Sequence, residues 1–219
     1  MKIGVLSDTH NLLRREVLDS LRGCDAILHA GDVSRQDLLD SLAELAPVYA
    51  VRGNNEENGE NLPVQEDIEL GGIRICMAHK RKDLPQDLSA YDLAVFGHSH
   101  RYSETWLSSG AGKRTLVLNP GSCGPRRFYQ AITMAFVTVD ADGLTVQQVE
   151  IAPSGKGRAR PSDLHEQIER VIRETEKKRG PKEIAQRLGM EEELTEQIVR
   201  LYLTHPGVSA DGIMTKMGL

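Results

Sequence analysis

The sequence of 219 residues has few cysteines, few aromatic residues and no excess of positive charge. Its three cysteines, Cys24, Cys76 and Cys123, are an odd and widely spaced set, which excludes a disulfide framework or a zinc ribbon and suits reduced thiols in a cytosol. Aromatic side chains make up only 4% of the chain, so a stacking platform for single-stranded nucleic acid would be sparse. The net charge of −5 excludes a uniformly basic nucleic-acid wrapper.

Long apolar runs are also missing. None approaches the roughly 18–20 residues that a membrane span needs. The chain is apolar only from Ile3 to Leu6 before it reaches Asp8 and His10, which favours a first strand over a signal peptide. We therefore expect a cytoplasmic protein that does not associate with membranes.

Short apolar runs alternate with amphipathic stretches over the first fifty residues. The spacing predicts strands at 3–6, 26–29 and 48–51, with helices over 12–21 and 38–45 between them. Strands that alternate with helices of about ten residues are typical of βαβ units and a parallel sheet.

From residue 64 the pattern becomes richer in strands. The predicted segments are 67–70, 73–78, 93–96, 105–107, 115–118, 131–139 and 144–151. Pairs of them flank Gly71-Gly72 and Asp142-Gly143, which are hairpin signals. Two sheets packed face to face, with helices outside, would accommodate both halves. The predicted fold class is therefore α/β, a four-layer α/β/β/α sandwich.

The composition changes again at 153–157, a short polar segment rich in glycine and proline. We place a domain boundary here, between residues 1–152 and a small all-helical region over 153–219. Four helices are expected in this tail. The tail also repeats itself, because 164–170 and 194–200 share five of seven residues. Two helix-turn-helix-like repeats are the favoured interpretation, with chance similarity of amphipathic helices as the alternative.

Polar residues of metal-binding type follow five of the predicted strands. Ligands bind outside the carboxyl ends of strands in open α/β sheets, so we expect these side chains to meet at one edge. Within Asp8-x-His10 and His98-x-His100, residues two apart in extended chain point the same way. The candidate ligands are Asp8, His10, Asp32, Asn54, His79, His98 and His100.

Seven ligands are too many for one zinc ion, which takes four, but they suit two ions about 3.5–4 Å apart with a shared carboxylate. Imidazole, carboxylate and amide ligands without thiolate suit manganese first, with iron, zinc or nickel as alternatives. Asp8 and Asp32 are the only acids in the set, so two divalent cations would leave the site positive and attractive to an anionic substrate. Gly31, Gly53 and Gly97 directly precede ligands and are expected to relieve crowding there.

These motifs resemble those of the calcineurin-like, binuclear metallophosphoesterase superfamily. The pattern is present in order as Asp8-x-His10, Gly31-Asp32, Gly53-Asn54, His79 and Gly97-His98-x-His100, and the resemblance spans residues 1–151. Asn119-Pro120-Gly121-Ser122 and the compact length are most similar to the small YfcE-type phosphodiesterases.

The resemblance implies a role for each residue. Asp8, His10, Asp32 and His100 would hold one metal, and Asp32, Asn54, His79 and His98 the other, so that Asp32 bridges. The implied reaction is attack on a phosphoester by a hydroxide that bridges the two divalent metals. We assign catalytic roles to Asp32, Asn54 and His98.

Two departures from the family pattern bear on the substrate. Asn55 stands where many members have a histidine that assists the leaving group, so esters with acidic leaving groups are expected to react best. Lys80 stands where relatives usually have glycine, and it either binds a phosphate or belongs to a solvated loop. Asn55, Lys80 and Arg126 are the candidate substrate contacts. His29 is expected to be a packed residue and not an eighth ligand, and Cys123 is not expected to be a nucleophile.

The favoured function is a metal-dependent phosphodiesterase. The alternatives are a phosphomonoesterase on nucleotides or phosphoproteins, a nuclease guided by the tail, and a non-catalytic protein-binding scaffold of the same fold. The tail carries +4 over 156–187 and −3 over 188–219. The small total charge of the tail favours a role in protein interaction, in dimerisation or in capping the core. Nucleic acid is the alternative partner, because the first copy is basic.

Overall fold

The computed structural model describes residues 1–54, 62–108, 112–125, 131–141, 143–151, 161–190 and 192–217. The chain divides into two compact units, Met1–Pro153 and Ser154–Leu219. No helix within the described ranges is both long enough and apolar enough to cross a lipid bilayer.

The described residues of the first unit form ten strands and two α-helices. The strands are β1 (Lys2–Leu6), β2 (Ala26–His29), β3 (Val48–Ala50), β4 (Gln65–Leu70), β5 (Ile73–Ala78), β6 (Leu93–Val95), β7 (Tyr102–Ser108), β8 (Arg114–Pro120), β9 (Thr133–Asp140) and β10 (Gly143–Glu150). The helices are α1 (Arg15–Leu21) and α2 (Gln36–Ala43), and a 3₁₀ helix covers Arg81–Asp83.

The strands form two mixed sheets of five strands each. The first has the order β10-β9-β1-β2-β3, in which β1, β2 and β3 are parallel and β9 runs antiparallel to β1. The second has the order β4-β5-β6-β8-β7, with β5, β6 and β8 parallel. The parallel strands include the central strand of each sheet, β1 and β6, and their carboxyl ends can carry a common site.

The main core lies between the two sheets. Val5 and Leu28 of the first sheet and Met77, Val95 and Leu118 of the second are fully buried in one apolar cluster. Full burial of each such side chain stabilises the fold by about 1.5–3 kcal/mol.

Two further clusters cover the outer faces of the sheets. On the first sheet, Ile27 and Met134 pack with Val17 of α1 and Leu42 of α2. On the second sheet, residues of β5, β6 and β8 pack against the loop that contains Tyr91. The predicted sandwich of two mixed sheets with flanking helices is confirmed.

Two elements differ in extent from the sequence prediction. Helix α1 begins at Arg15 and not at Leu12, because residues up to Leu12 belong to a turn in which the Leu12 amide donates to the Thr9 carbonyl. Strand β7 is longer than the predicted 105–107, because its pairing with β8 continues along exposed residues that carry no apolar signal.

The second unit consists of four helices, α3 (Pro161–Glu176), α4 (Pro181–Leu188), α5 (Glu192–Thr204) and α6 (Ala210–Lys216). Pro181 occupies the first turn of α4, where its missing N–H is not needed, and Gly189 ends the helix at φ 65°. Ile168, Ile184, Ile198 and Ile213 are fully buried. The four predicted helices are present, and a long helix is followed by a short one in both pairs, α3–α4 and α5–α6.

Candidate metal centre

The candidate ligands lie in loops that follow five parallel strands. Asp8 and His10 follow β1, Asp32 follows β2, and Asn54 follows β3, all in the first sheet. His79 follows β5, while His98 and His100 follow β6, both in the second sheet. The predicted single edge is therefore built from the carboxyl ends of two facing sheets.

The ligand loops share an unusual backbone conformation. Five candidate ligands have positive φ, namely Asp8 (55°), His10 (44°), Asp32 (57°), His98 (70°) and His100 (57°). Left-handed backbone costs an L-residue roughly 1–2 kcal/mol, and it persists only where the surrounding structure enforces it. Hydrogen bonds from the Asp8 amide to the Gly31 carbonyl (2.9 Å) and from the His10 amide to the Asp32 carbonyl (3.0 Å) supply part of that enforcement.

One group of ligand atoms comes from Asp8, His10 and His100. The Nε2 atoms of the two histidines lie 3.2 Å apart. Asp8 Oδ1 lies 3.1 Å from His100 Nε2 and 3.8 Å from His10 Nε2. This oxygen is buried and accepts no well-directed hydrogen bond from the described residues. Two imidazole nitrogens and an unsatisfied carboxylate oxygen at this spacing match the donor set of a transition-metal ion.

A second group forms around His79, whose tautomer is fixed by its neighbours. Its Nδ1 lies 2.8 Å from the Ala30 carbonyl oxygen, which can only accept, so Nδ1 carries the proton. In the neutral ring, Nε2 then presents a lone pair toward Asn54 Oδ1 at 3.1 Å and Asp32 Oδ2 at 3.6 Å. No proton lies between these three lone-pair atoms, so they repel one another. A bound cation would remove that repulsion.

Asp32 lies between the two groups. Its Oδ1 accepts a hydrogen bond from the Asn54 amide at 2.7 Å. Its Oδ2 is 3.7 Å from His10 Nε2 and 3.6 Å from His79 Nε2, so one oxygen is held and the other faces both histidines. The carboxylate is almost fully buried.

His98 and Asn54 are exposed, unlike the other five candidate ligands. The ring of His98 meets the ring of His79 edge-on at 5.2 Å between centroids. Its backbone amide donates to Asp8 Oδ2 at 3.0 Å, which ties the β6 loop to the β1 loop. His98 therefore stands at the mouth of the cluster.

Two groups of residues could each hold a metal ion. In Asp8, His10 and His100, and in Asp8, Asp32 and His79, the ligand atoms lie within 4.8 Å of one another. The residues present therefore fit divalent metal.

Glycine lets the ligand loops approach one another closely. A Cβ on Gly53 would lie 2.0 Å from Asp32 Oδ1 and 2.2 Å from the Asp32 amide nitrogen. A Cβ on Gly97 would lie 1.9 Å from Ser7 Oγ and 2.8 Å from Asp8 Oδ2. The predicted crowding at the glycines is confirmed.

Residues 1–142 match the family model of the calcineurin-like phosphoesterase superfamily domain. The chain belongs to this superfamily. A probable metallophosphoesterase of Methanocaldococcus jannaschii is 36% identical over 138 residues, which cover 56% of this chain and 68% of the relative. A protein of the same organism named as a phosphodiesterase is 23% identical over 147 residues, covering 56% of this chain and 84% of that protein. The solved structure of a predicted phosphoesterase from Streptococcus pneumoniae aligns with a TM-score of 0.51 at 25% identity, covering 70% of this chain and 93% of that one.

The candidate site has supporting residues that the sequence pattern did not predict. Ser7 Oγ donates to Asp8 Oδ2 at 2.7 Å, and Ser122 Oγ donates to the Asp8 carbonyl at 2.9 Å. The Asn119 amide donates to the Gly97 carbonyl at 2.9 Å, while its oxygen accepts from the Gly121 amide. These hydrogen bonds hold the loops of the candidate ligands in place. Asn119 and Ser122 belong to the motif that carries the resemblance, but nothing in the sequence marks them as supports for the ligand loops.

Burial and neighbouring groups shift the pKa values of Asp8 and His98 in the candidate site. Burial raises the pKa of Asp8, but the imidazole of His100 and the hydroxyl of Ser7 lower it by more, so the pKa lies below its ordinary value. Burial lowers the pKa of His98, and the charges of His79 and Lys80 lower it further. Lys80 is half-buried.

His29 is a packed residue, as expected. It is fully buried, and its Nε2 lies 3.1 Å from Thr9 Oγ1 in the loop between two ligands. Burial lowers the pKa of His29 to about 4, so the ring is neutral near pH 7. Of the other candidates, Asn55 and Arg126 lie outside the described residues.

The three cysteines are buried, and they are expected to be unreactive in the native protein. Burial raises the pKa of Cys123 to about 12 and that of Cys76 to about 12, and it also raises the pKa of Cys24. Titration with a chromogenic disulfide at pH 8 should detect no thiol in the folded protein and three in denaturant. The variant Cys123→Ala should keep activity within about twofold. Rapid labelling of Cys123 in the folded state, with loss of activity, would contradict this assignment.

Proposed function

We propose that the chain is a metal-dependent phosphodiesterase that holds two divalent ions. Asp8, His10, Asp32 and His100 would hold one ion, and Asp32, Asn54, His79 and His98 the other. The observation that carries this proposal is the position of Asp32 Oδ2, nearly equidistant from His10 Nε2 and His79 Nε2. A carboxylate in that position suits a ligand shared by two ions.

When bound, such ions supply Lewis acidity, which lowers the pKa of water and neutralises charge on a phosphoryl group. The preference among metals follows from the mixed imidazole, carboxylate and amide donors, which suit manganese and then iron, zinc or nickel. These donors make a poor calcium or magnesium cage, because hard cations select oxygen ligands.

The chain's own residues prepare the site for an anion. Ser7 and the His98 amide hold Asp8 in its ionised form, and the Ala30 carbonyl holds the proton of His79 on Nδ1. The side chain of His98 is exposed at the mouth, beside the charge of Lys80, where a phosphate oxygen would meet both. Lys80 is therefore proposed as a substrate contact.

Position 55 bears on the leaving group of the ester. The Asn55 amide cannot transfer a proton to a departing alkoxide, so a good leaving group must depart unaided. Aryl esters meet this requirement. The choice of a diester is supported by the relative that is named as a phosphodiesterase.

The full chain reconstituted with manganese is expected to hydrolyse a bis-aryl phosphate with a kcat/KM at least about tenfold above that for the matching aryl monophosphate. Rates over a series of aryl diesters should rise as the pKa of the leaving phenol falls. Parallel reconstitutions with iron, zinc and nickel, with bound metal measured in each, test the metal preference.

Three results would count against this function, each in its own way. A tenfold preference for the monoester would make the chain a phosphomonoesterase. A flat leaving-group series would remove the argument from Asn55. Full metal occupancy without turnover of any ester would favour the non-catalytic scaffold.

For the second unit, we propose that α3–α4 and α5–α6 are two copies of one helical hairpin, separate from a catalytic domain over 1–152. The conserved spacing supports this, because Ile168 and Ile198, 30 residues apart, are both fully buried. Ile184 and Ile213 are likewise buried at equivalent places in α4 and α6.

A further inference from the structure

The second unit contains a cavity of about 340 Å³ between α3 and α4, and most of its lining is cationic. Four basic side chains, one carboxylate and one leucine line it: Arg170, Arg173, Glu174, Lys177, Arg187 and Leu188. Only Leu188 offers apolar surface. The cavity therefore suits a small polyanionic group and not an apolar side chain or an aromatic ring.

Glu174 organises one side of the cavity. It is largely buried, and it pairs with Lys177 at 2.7 Å, with Arg187 at 3.4 Å and with Arg179. One carboxylate cannot use all the N–H donors of three cations, so Lys177 and Arg187 keep donors for another partner. Both side chains are more than half exposed, so those donors are accessible.

Arg170 and Arg173 form the other side. Within the described residues, neither makes an ion pair or a side-chain hydrogen bond, and both are exposed. Arg170, Arg173 and Lys177 follow each other at intervals of three and four residues, which gathers three positive charges along one side of α3 and the turn after it.

The internal repeat shows which residues of this cluster the fold does not require. At an offset of 30, the second copy keeps Arg200 for Arg170 but has Leu203 for Arg173, Thr204 for Glu174 and Gly207 for Lys177, and at an offset of 29 it has Lys216 for Arg187. The second copy nevertheless forms α5 and α6 with the same buried isoleucines. Arg173, Glu174 and Lys177 are thus specific to the first copy and not part of the hairpin's packing.

We propose that this cavity binds a phosphate group carried by a nucleotide or an oligonucleotide. Guanidinium groups present paired N–H donors in a plane, which match the oxygens of a phosphate, and three of the four lining cations are arginines. The absence of an apolar groove among the lining residues argues against an acidic peptide as the ligand. This binding is independent of the metal centre.

The test is binding of a fluorescent 20-nucleotide phosphorothioate strand to the full chain, by anisotropy, with adenosine monophosphate and inorganic phosphate as competitors. The double variant Arg170→Gln/Arg173→Gln should weaken binding at least about tenfold and lower the slope of log affinity against log salt by about 1.4. The control Arg200→Gln/Lys182→Gln removes the same charge from the same unit outside the cavity, and it should change affinity less than about twofold.

The competitors separate the two sources of phosphate. Displacement by the mononucleotide at low concentration indicates a nucleotide site, and displacement only by another strand indicates an oligonucleotide site; both support the proposal. The conservative variant Arg170→Lys/Arg173→Lys should recover part of the affinity, because charge remains while the planar donors are lost.

Equal weakening by the cavity and control variants would overturn the proposal, because general electrostatics would then explain the binding. Equally tight binding of a poly-glutamate peptide would overturn it as well. If neither the fluorescent strand nor adenosine monophosphate bound, the proposal would also be overturned. Thermal melts check that all variants fold, which we expect because Arg170 and Arg173 are exposed and unpaired.

Discussion

Replacing Asp32 with asparagine is expected to lower metal-dependent hydrolysis of an aryl phosphodiester by about a thousandfold or more. Asparagine keeps the shape of the side chain, and its amide oxygen can still accept from the Asn54 amide. It removes the negative charge that faces His10 and His79 together. Loss of a shared metal ligand should remove several kcal/mol of transition-state stabilisation, and each 1.36 kcal/mol is about tenfold in rate.

The measurement combines kcat/KM, bound metal by elemental analysis and a thermal melt. We expect Asp32→Asn to lose at least one of two metal ions and to stay folded. Asp92→Asn is the matched control, because Asp92 Oδ2 also accepts from a backbone amide, that of Arg74 at 2.8 Å. The control should keep activity within about twofold. Turnover by Asp32→Asn within tenfold of the unchanged protein, at two bound ions, would show that Asp32 does not bridge.

The substitution Gly53→Ala is expected to damage the same site through the backbone. The added methyl carbon would overlap the Asp32 amide nitrogen and its Oδ1, so one of the two ligand loops must move. Overpacking of this kind costs about 1–3 kcal/mol of stability. A displacement of about 1 Å at the reacting centre can lower the rate by about a hundredfold.

Gly180→Ala serves as the control for Gly53→Ala. Gly180 has φ −75°, and no atom lies within 4 Å of a Cβ built there. The melting temperature of Gly180→Ala should fall by no more than about 4 °C, because Gly180 is the N-cap of α4, where alanine is less favourable than glycine, and activity should not change. If Gly53→Ala retained full activity and metal content, the close approach of the β2 and β3 loops would not be needed for function.

Much of the secondary structure was predictable because its signals are local. The strands predicted at 26–29 and 73–78 occur as β2 and β5, and the four helices of the tail are present. Sheet membership was not predictable in this way, since β1 lies between β2 and β9, which is distant in sequence. Nothing in the local pattern of apolar residues selects such a partner.

The candidate site shows the same division. Its ligand types and their positions after strands could be read from the sequence, because parallel strands share an orientation. The supports could not, because they join distant segments: the Ser122 hydroxyl reaches the Asp8 carbonyl across 114 residues. The position of His98 at the mouth, away from the tight cluster, also depends on how the two sheets face each other.

The left-handed backbone at five candidate ligands lowers the stability of the fold at the positions on which the proposed function depends. Glycine is the residue that such conformations accept most readily, so His10→Gly or His100→Gly would relieve strain while deleting a ligand. The combined strain of five such residues, of the order of 5 kcal/mol or more, is comparable to the net stability of a typical domain. A lineage under selection for stability alone would therefore drift toward glycine at these positions. This chain carries aspartate or histidine at all five, which are the residue types that the proposed metal centre needs.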